Sequence, residues 1–401
     1  MRQVSDVERR YRLARRHALA SGHRADGPES ATRAMTVLHA TEAPSVYLSL
    51  WARVEGLTID DVDRALYEDR TLVKQLAMRR TLFVFPRDLL PAAWGSASAR
   101  VAAAHRVRLA KDVELGGLAT DGAAWVDAAE AATLAHLSGG AEFSAQQLRE
   151  AVPELAGRIE MSPGKSYGGN IPIAPRVLTQ LGVEAKIVRG RNGGHWRTAR
   201  PQWTAMESWL CPDGGDLPEP AKEREGYAEL VRRWLVTFGP GTEADIVWWL
   251  GSTKGAVRAA LADVGAVEVG LEGGATGWLL ADDSEDDTEE DNEVDTWAAL
   301  LPVLDPTVMG WKERDFYLGA HGPMLFDTNG NVGTTAWWDG RIVGCWVQDP
   351  DGVVVLNLLE DVGADARSAL EAEAARLTAW LAGHRVSTVY PSIAMKQALS
   401  P

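Results

Sequence analysis

The sequence predicts an α+β protein: three tandem winged-helix units, then a β-rich, barrel-like C-terminal domain with a terminal helix. Two central segments repeat one order of patterns: helix, helix, helix, strand, Gly-rich turn, strand. A run of like charge, DDSEDDTEEDNEVD from Asp282 to Asp295, follows the second of them. Beyond it, β-rich stretches alternate with NGN, DGR and PDG turns before one Ala-rich helix, GADARSALEAEAARLTAWLAGH.

The first unit, expected over 1–118 with a basic N-terminal segment, fits the pattern least cleanly. VYLSLWARVEG, TIDDVDRALYED and TLVKQLAMRR read as its helices and TLFVFP as a strand, with the return strand merging into a helix from near Arg87. In the second unit, 119–212, AAWVDAAEAATLAHL, FSAQQLREAV and IPIAPRVLTQLG precede VEAKIVRG, the turn RNGG and HWRTARP. The third, 213–282, runs REGYAELVRRWLVTFG, GTEADIVWWLG, TKGAVRAALADVG, AVEVGL, EGGATG, GWLLAD. Ser144 with Gln147 fits a capping box, and Thr242 with Asp245 fits one loosely. Gly182 and Gly265 stand where a left-handed C-cap is wanted. Alternating strands around Gly- and Asn-rich turns read as hairpins, the wings. The acidic run repels itself and reads as a solvated linker over 283–296, leaving 297–401 as the final domain, a meander or small barrel.

The 401 residues, 46% hydrophobic and 24% charged, suit two to four domains with sizeable cores. No stretch approaches the roughly 18 apolar residues of a membrane span, and MRQVSDVERRYRLARRHALA is too charged for a signal peptide, so a cytoplasmic protein is expected. Two cysteines, Cys211 and Cys345, and scattered histidines give neither a disulfide framework nor metal-ligand spacing; no metal or cofactor is expected.

The net charge of -15 argues against a nucleic-acid partner until the chain is divided. Residues 1–200 carry 28 Lys+Arg and 22 Asp+Glu, a net +6, and the remainder carries -21. A winged helix places its third helix in the major groove and its wing along a backbone. The basic residues cluster accordingly: Arg189, Arg191, Asn192, His195, Arg197 and Arg200 around the second wing, and Arg79 and Arg80 before the first β segment. Lys312, in the DPTVMGWK turn, joins them as a DNA contact. The third wing, LEGGATGW, has no positive charge. Winged helices also dock proteins, and arginines on a hairpin often only solvate an edge, so a protein-binding or regulatory role stays open.

The stretch LHATEAPSVYLSLWAR, Leu38 to Arg53, has two readings. In one, Thr41 caps a helix running from about Ala43 to Val54, with Pro44 in its first turn and Glu42 favoured by the helix dipole. His39 is then a buried histidine bonded to backbone.

The other reading follows from a resemblance. SVYLSLWARV (Ser45 to Val54), AMRRTLFVFPRDLLP (Ala77 to Pro91) and LLPVLDPTVMGWKERDFYLG (Leu300 to Gly319) resemble the AlkZ/YcaQ-like winged-helix DNA glycosylases along essentially the whole chain. The resemblance implies three winged helices closed by a β-barrel, cradling duplex DNA and removing alkylated purines, including bulky guanine N7 adducts. It also implies a catalytic Gln-x-Gln or Gln-x-Asp tripeptide just before the SVYLSLWARV helix, where this chain has His39-Ala40-Thr41.

An N7-alkylated purine is a cationic leaving group, so the enzyme chiefly places a water and stabilises the sugar cation. His39, with an unperturbed pKa of about 6.5, would take the water's proton. Thr41 would hold that water, provided the segment is extended so that i and i+2 share a side, and Glu42 would offset the oxocarbenium charge. A monofunctional glycosylase is expected over a lyase working through a Schiff base, because no lysine lies near this motif: the closest in sequence is Lys74. Met309, Trp311, His195 and Trp196 are candidates for a wedge into the DNA, with Trp311 read rather as packing. Damaged duplex DNA is the expected partner and a monomer the expected state; the alternative is a winged-helix protein that binds DNA, or regulates, without catalysis.

Overall fold

A computed structural model describes residues 1–161, 169–284 and 294–399, and its helices and small sheets make it α+β. The chain opens with β1 (Gln3–Val4) and α1 (Asp6–Arg16), where the Ser5 hydroxyl accepts the Glu8 amide as an N-cap. α2 (Pro28–Ala34) leads to β2 (Leu38–His39), α3 (Ala43–Trp51) and α4 (Ile59–Asp63). Next come β3 (Leu72–Leu76) and β4 (Leu82–Pro86), in a sheet of order β2-β4-β3. TLVKQLAMRR, expected as a helix, is therefore a strand and a hairpin turn. Val73 pairs with Phe85 and Lys74 with Val84, and this cross-strand burial outweighs the local helical pattern.

α5 (Leu90–Ala93) and α6 (Ala99–Leu115) follow. Ala102, His105, Leu109 and Val113, three or four apart, form the buried line of α6. α7 (Gly122–Leu137), β5 (Phe143–Ser144) and α8 (Ala145–Ala151) come next, α8 closed by the expected Ser144–Gln147 box. A hairpin the sequence did not announce, β6 (Arg158–Met161) with β7 (Gly169–Pro172), precedes α9 (Ala174–Val183). β8 (Ile187–Asn192) and β9 (Pro201–Ala205) join β5 in a three-stranded sheet, and α10 (Met206–Leu210) follows. Gly182 lies inside α9, and the left-handed residue beyond that helix is Ala185.

α11 (Glu223–Phe238), α12 (Glu243–Leu250), α13 (Lys254–Asp263), β10 (Val267–Leu271) and β11 (Thr276–Leu279) keep the expected order. Gly265 takes the left-handed conformation after α13. Thr242 and Asp245 form a full reciprocal box, since the shorter carboxylate still reaches the Thr242 amide at 2.9 Å. β1 pairs in parallel with β10, so the N-terminus completes this sheet.

Of the acidic run, residues 285–293 lie outside the described residues. Its start is anchored: Asp283 binds Arg12 at 2.9 Å and also Arg16 of α1.

The C-terminal region comprises β12 (Ala298–Leu301), α14 (Pro306–Met309), α15 (Asp315–Leu318), α16 (Gly322–Leu325), β13 (Thr335–Trp338), β14 (Arg341–Gln348), β15 (Val354–Leu358), α17 (Gly363–Leu381) and α18 (Ile393–Ala398). Its strands form an open meander, β12-β13-β14-β15, and among the described residues no barrel closes. α17 packs on β12 and β15, covering the sheet instead of letting its edges meet. One apolar core joins the first, third and C-terminal regions and takes in Val188, Trp196, Met206, Trp209 and Leu210 from the β8–β9 hairpin and α10, while α6, α7, α8 and α9 surround a separate core. No helix among the described residues is long and apolar enough to cross a membrane.

Candidate active site at the start of α3

α3 is held by a buried ionic lock. Arg53 donates to both carboxylate oxygens of Asp305 (2.9 and 2.8 Å), to Thr307 and to the Ser49 carbonyl, while Ser49 donates to Asp305 at 2.7 Å. Both charged side chains are 0% exposed; the two Asp305 oxygens and the two terminal nitrogens of Arg53 are all bonded, and within this lock only the Arg53 Nε lacks a partner among the described residues. The Ser45 hydroxyl adds a bond to the Val303 carbonyl. The start of α3 is thus fixed against the segment that leads into α14.

The helix begins at Ala43 and ends at Trp51, short of the expected Val54. Its N-cap position is Glu42, not Thr41, and no side chain caps it. With Pro44 in the first turn, one amide that a cap would satisfy is absent.

His39, Thr41 and Glu42 point to three different places. β2 ends at His39, so the extended geometry that would align His39 with Thr41 stops too early. His39 lies opposite Phe83, itself opposite Gln75, its ring 4.6 Å from that of Phe83 and 5% exposed. Burial, reinforced by the charge of Arg79, lowers its pKa to about 3, and Nδ1 has no partner. The ordinary pKa expected of a general base therefore does not hold, nor does the expected backbone bond at that nitrogen. Thr41 is exposed and lines a narrow cleft with Lys74, Tyr67, Tyr47, Arg189 and Asn192. Glu42 faces the other way, into a cavity of about 280 Å³ closed by the C-terminal segment. Its carboxylate accepts from the Val389 amide (2.7 Å) and the Thr388 hydroxyl (2.9 Å). Burial raises its pKa against the lowering effect of those two bonds.

The basic residues divide similarly. Arg79 and Arg80, at the tip of the β3–β4 hairpin, both have positive φ, a strain that clusters at functional sites. The Arg79 guanidinium lies 4.0 Å from the Trp248 ring and burial lowers its pKa to about 10, while the Arg314 guanidinium lies 4.8 Å from the same ring. Arg80 is exposed. On the β8–β9 hairpin, Arg189 packs over Trp203 at the Thr41 cleft, with burial lowering its pKa. Asn192 spends its amide on the carbonyls of Gly194, His195 and Thr198, so it braces the loop instead of presenting that amide outward. Arg191 is exposed but pairs with Glu142, and Arg200 is exposed. Arg197 donates to the Arg385 carbonyl, and His195 meets His384 edge to face at 4.7 Å, fastening this hairpin to the C-terminal segment. Lys312 and Arg314 line a separate open cleft.

Of the wedge candidates, Met309, Trp311 and Trp196 are buried, and Trp311 donates to the Phe238 carbonyl, consistent with its reading as packing. Only His195 is exposed. Sequence reasoning missed Lys74 and its neighbours Tyr67, Tyr47 and Asp63. Assigning TLVKQLAMRR to a helix hid the alternation that turns Lys74 towards the cleft.

The model of the DNA glycosylase AlkZ-like family matches residues 32–380. The solved structure of Streptomyces sahachiroi DNA glycosylase AlkZ is similar over 96% of this chain and 99% of that chain, with a TM-score of 0.69 and 20% identity. No curated protein sequence matches. With the α3 segment, the arginine-tipped hairpin and the C-terminal sheet all inside the matched span, the chain belongs to the AlkZ-like DNA glycosylase family.

Proposed function

We propose that the chain acts as a monomer on damaged duplex DNA, hydrolysing the N-glycosidic bond of N7-alkylated or bulky purine adducts. In this reading its three helix-helix-helix-strand-strand units are winged helices, divided at 1–118, 119–212 and 213–282 from a C-terminal domain over 297–401. The observation that carries it is the place of the Thr41–Glu42 turn. One side opens to a cleft lined by Arg189 and Asn192, and the other to the cavity lined by Glu42.

Because an N7-alkylated base leaves without needing a proton, the protein has two tasks: hold water and stabilise positive charge on the sugar. Glu42 suits both. Its carboxylate is oriented by two hydrogen bonds, and burial makes it the better proton acceptor. Thr41, on the opposite side of the turn, holds water in the cleft that it lines with Arg189 and Asn192. His39 stays neutral and supports the turn from the core. Arg79, Arg80, Arg189, Arg191, Arg197, Arg200, Lys312 and the loop braced by Asn192 and His195 serve the phosphates.

The test is release of 7-methylguanine from duplex DNA, with a bulky N7-guanine adduct in parallel. Glu42→Gln should lower the rate on the order of 10²-fold or more, the usual contribution of a positioned base. Thr41→Ala should lower it less, and His39→Ala should act mainly through stability. Undiminished release by Glu42→Gln would remove Glu42 from the chemistry. The burial of His39 favours a second reading, a protein that binds DNA without cutting it; tight binding with no base release would establish that one.

A further inference from the structure

Lys74 is remote from Thr41 in sequence, yet the two line one cleft. β3 and β4 bring this about: Lys74 pairs with Val84, which also pairs with Leu38 of β2, so the lysine stands one strand away from the chain that leads to Thr41. Among the described residues Lys74 has no carboxylate partner. Its ammonium donates to the Tyr67 hydroxyl at 2.6 Å. Tyr67 in turn neighbours Tyr47, whose hydroxyl donates to Asp63 at 2.5 Å. The hydroxyls of Tyr67 and Tyr47 thus stand between the Lys74 amine and Asp63. Tyr47 and Tyr67 are buried, at 2% and 8% exposed, so the chain is shielded from bulk water while Lys74 is only half-buried. The chain gives an amine that must shed a proton somewhere to send it.

We propose that Lys74 is the nucleophile of a lyase activity, forming a Schiff base with the ring-opened sugar of an abasic site and cleaving the strand on its 3′ side. The inference rests on the reading that this cleft receives DNA, and goes beyond it by adding a second reaction after base removal.

The steps balance without any further reagent. The Lys74 ammonium passes a proton along Tyr67 and Tyr47 to Asp63, whose carboxyl burial makes readier to accept it. The free Nζ adds to C1′ of the aldehyde, forming the carbinolamine. The proton returns along the same chain and leaves with the C1′ oxygen as water, so the C–O bond breaks and a protonated imine remains. A water takes a proton from C2′, and the electrons of that C–H bond form an enamine. They then expel the 3′ phosphate as the C3′–O bond breaks. Water finally hydrolyses the conjugated imine, restoring the Lys74 ammonium and leaving an unsaturated aldehyde on the strand. The cleft, about 30 Å³, has room for a single water beside Thr41, and the sugar would meet Lys74 at its mouth.

The experiment uses the full chain and a duplex carrying one preformed abasic site, so that base excision is bypassed, with borohydride present to trap the imine. The expected result is a covalent protein–DNA species whose peptide map places the link on Lys74. The species should be lost in Lys74→Arg, which keeps the charge but offers no amine, while affinity for the duplex is retained. Tyr67→Phe should slow trapping and shift its pH profile upward, because the amine loses its proton outlet; a lysine serving only as a phosphate contact would show no such shift. A wild-type protein that binds the abasic duplex without trapping overturns the proposal, as does a link mapped to the N-terminal amine or another lysine. Release of 7-methylguanine is measured alongside. Base release without trapping sinks the lyase alone, and trapping without base release sinks the glycosylase reading alone.

Discussion

At the scale of single residues, two histidines are neutral by construction. His17 is fully buried, bonded to Thr307 and to the Thr237 carbonyl, and burial lowers its pKa to about 3, as it does for His39. The unfolded chain binds a proton at each near pH 6.5 and the folded chain does not until about pH 3. Their contribution to stability is therefore complete above pH 6.5 and is lost as pH falls through that window. Between pH 6.5 and 5 the loss amounts to about 2 kcal/mol per histidine. Thermal melts should fall steeply over this range, and His39→Leu should flatten part of the fall. At neutral pH that substitution should cost little, since Nδ1 has no bond to lose. A melting profile unchanged by His39→Leu would mean that the imidazole is protonated in place. Glu42 is a different kind of residue: its burial is partial and its carboxylate is held by Thr388 and Val389, so its substitution is expected to act on rate more than on folding.

At the scale of elements, the lock between α3 and the segment before α14 decides where the Thr41–Glu42 turn sits. Arg53 and Asp305 stand 252 positions apart, and neither is exposed. Removing one partner leaves the other charge buried and alone. Asp305→Ala should therefore cost about 3–5 kcal/mol, visible in denaturant unfolding, while Asp305→Asn, which keeps one acceptor, should cost less. Equal losses for the two would mean that packing, and not charge, holds the helix. The β3–β4 hairpin makes a complementary point. Its tip holds Arg79 and Arg80 in left-handed backbone, and a Cβ on Gly251 would lie 2.9 Å from the Arg79 side chain, so the glycine is part of how the arginine is seated.

At the scale of the whole molecule, the net charge of -15 hides a basic N-terminal half. If the β8–β9 hairpin follows a DNA backbone, its arginines release counterions, and binding weakens with salt at a slope of about 0.9 per phosphate engaged. Arg200→Ala should lower that slope by close to one contact. Arg191→Ala should lower it by less, because Glu142 already holds that guanidinium. Titrations over a range of salt would show it, and slopes equal to wild type would take this hairpin off the backbone. The same hairpin is tied to the C-terminal segment through Arg197 and His195, and it contributes Trp196 to the larger core and Trp203 to the smaller one, so it joins the two.

The sequence by itself determined the α+β class, the order of elements in the two central units, the capping boxes at Ser144 and Thr242, the turn-rich C-terminal strands and the family. These depend on local periodicity, turn chemistry and motif, which are written within a few residues of one another. It did not determine the first unit, where cross-strand pairing overrode a helical pattern at Leu72–Leu76, nor the open C-terminal sheet, which α17 covers. Nor could it separate His39 from Thr41 and Glu42, because which way a side chain faces depends on where a strand ends. Lys74 is the clearest case. Its neighbours in space lie in the turn after β2, on α3, at and just beyond the end of α4 and on the β8–β9 hairpin, and only strand register brings an amine, two phenols and a carboxylate together beside Thr41.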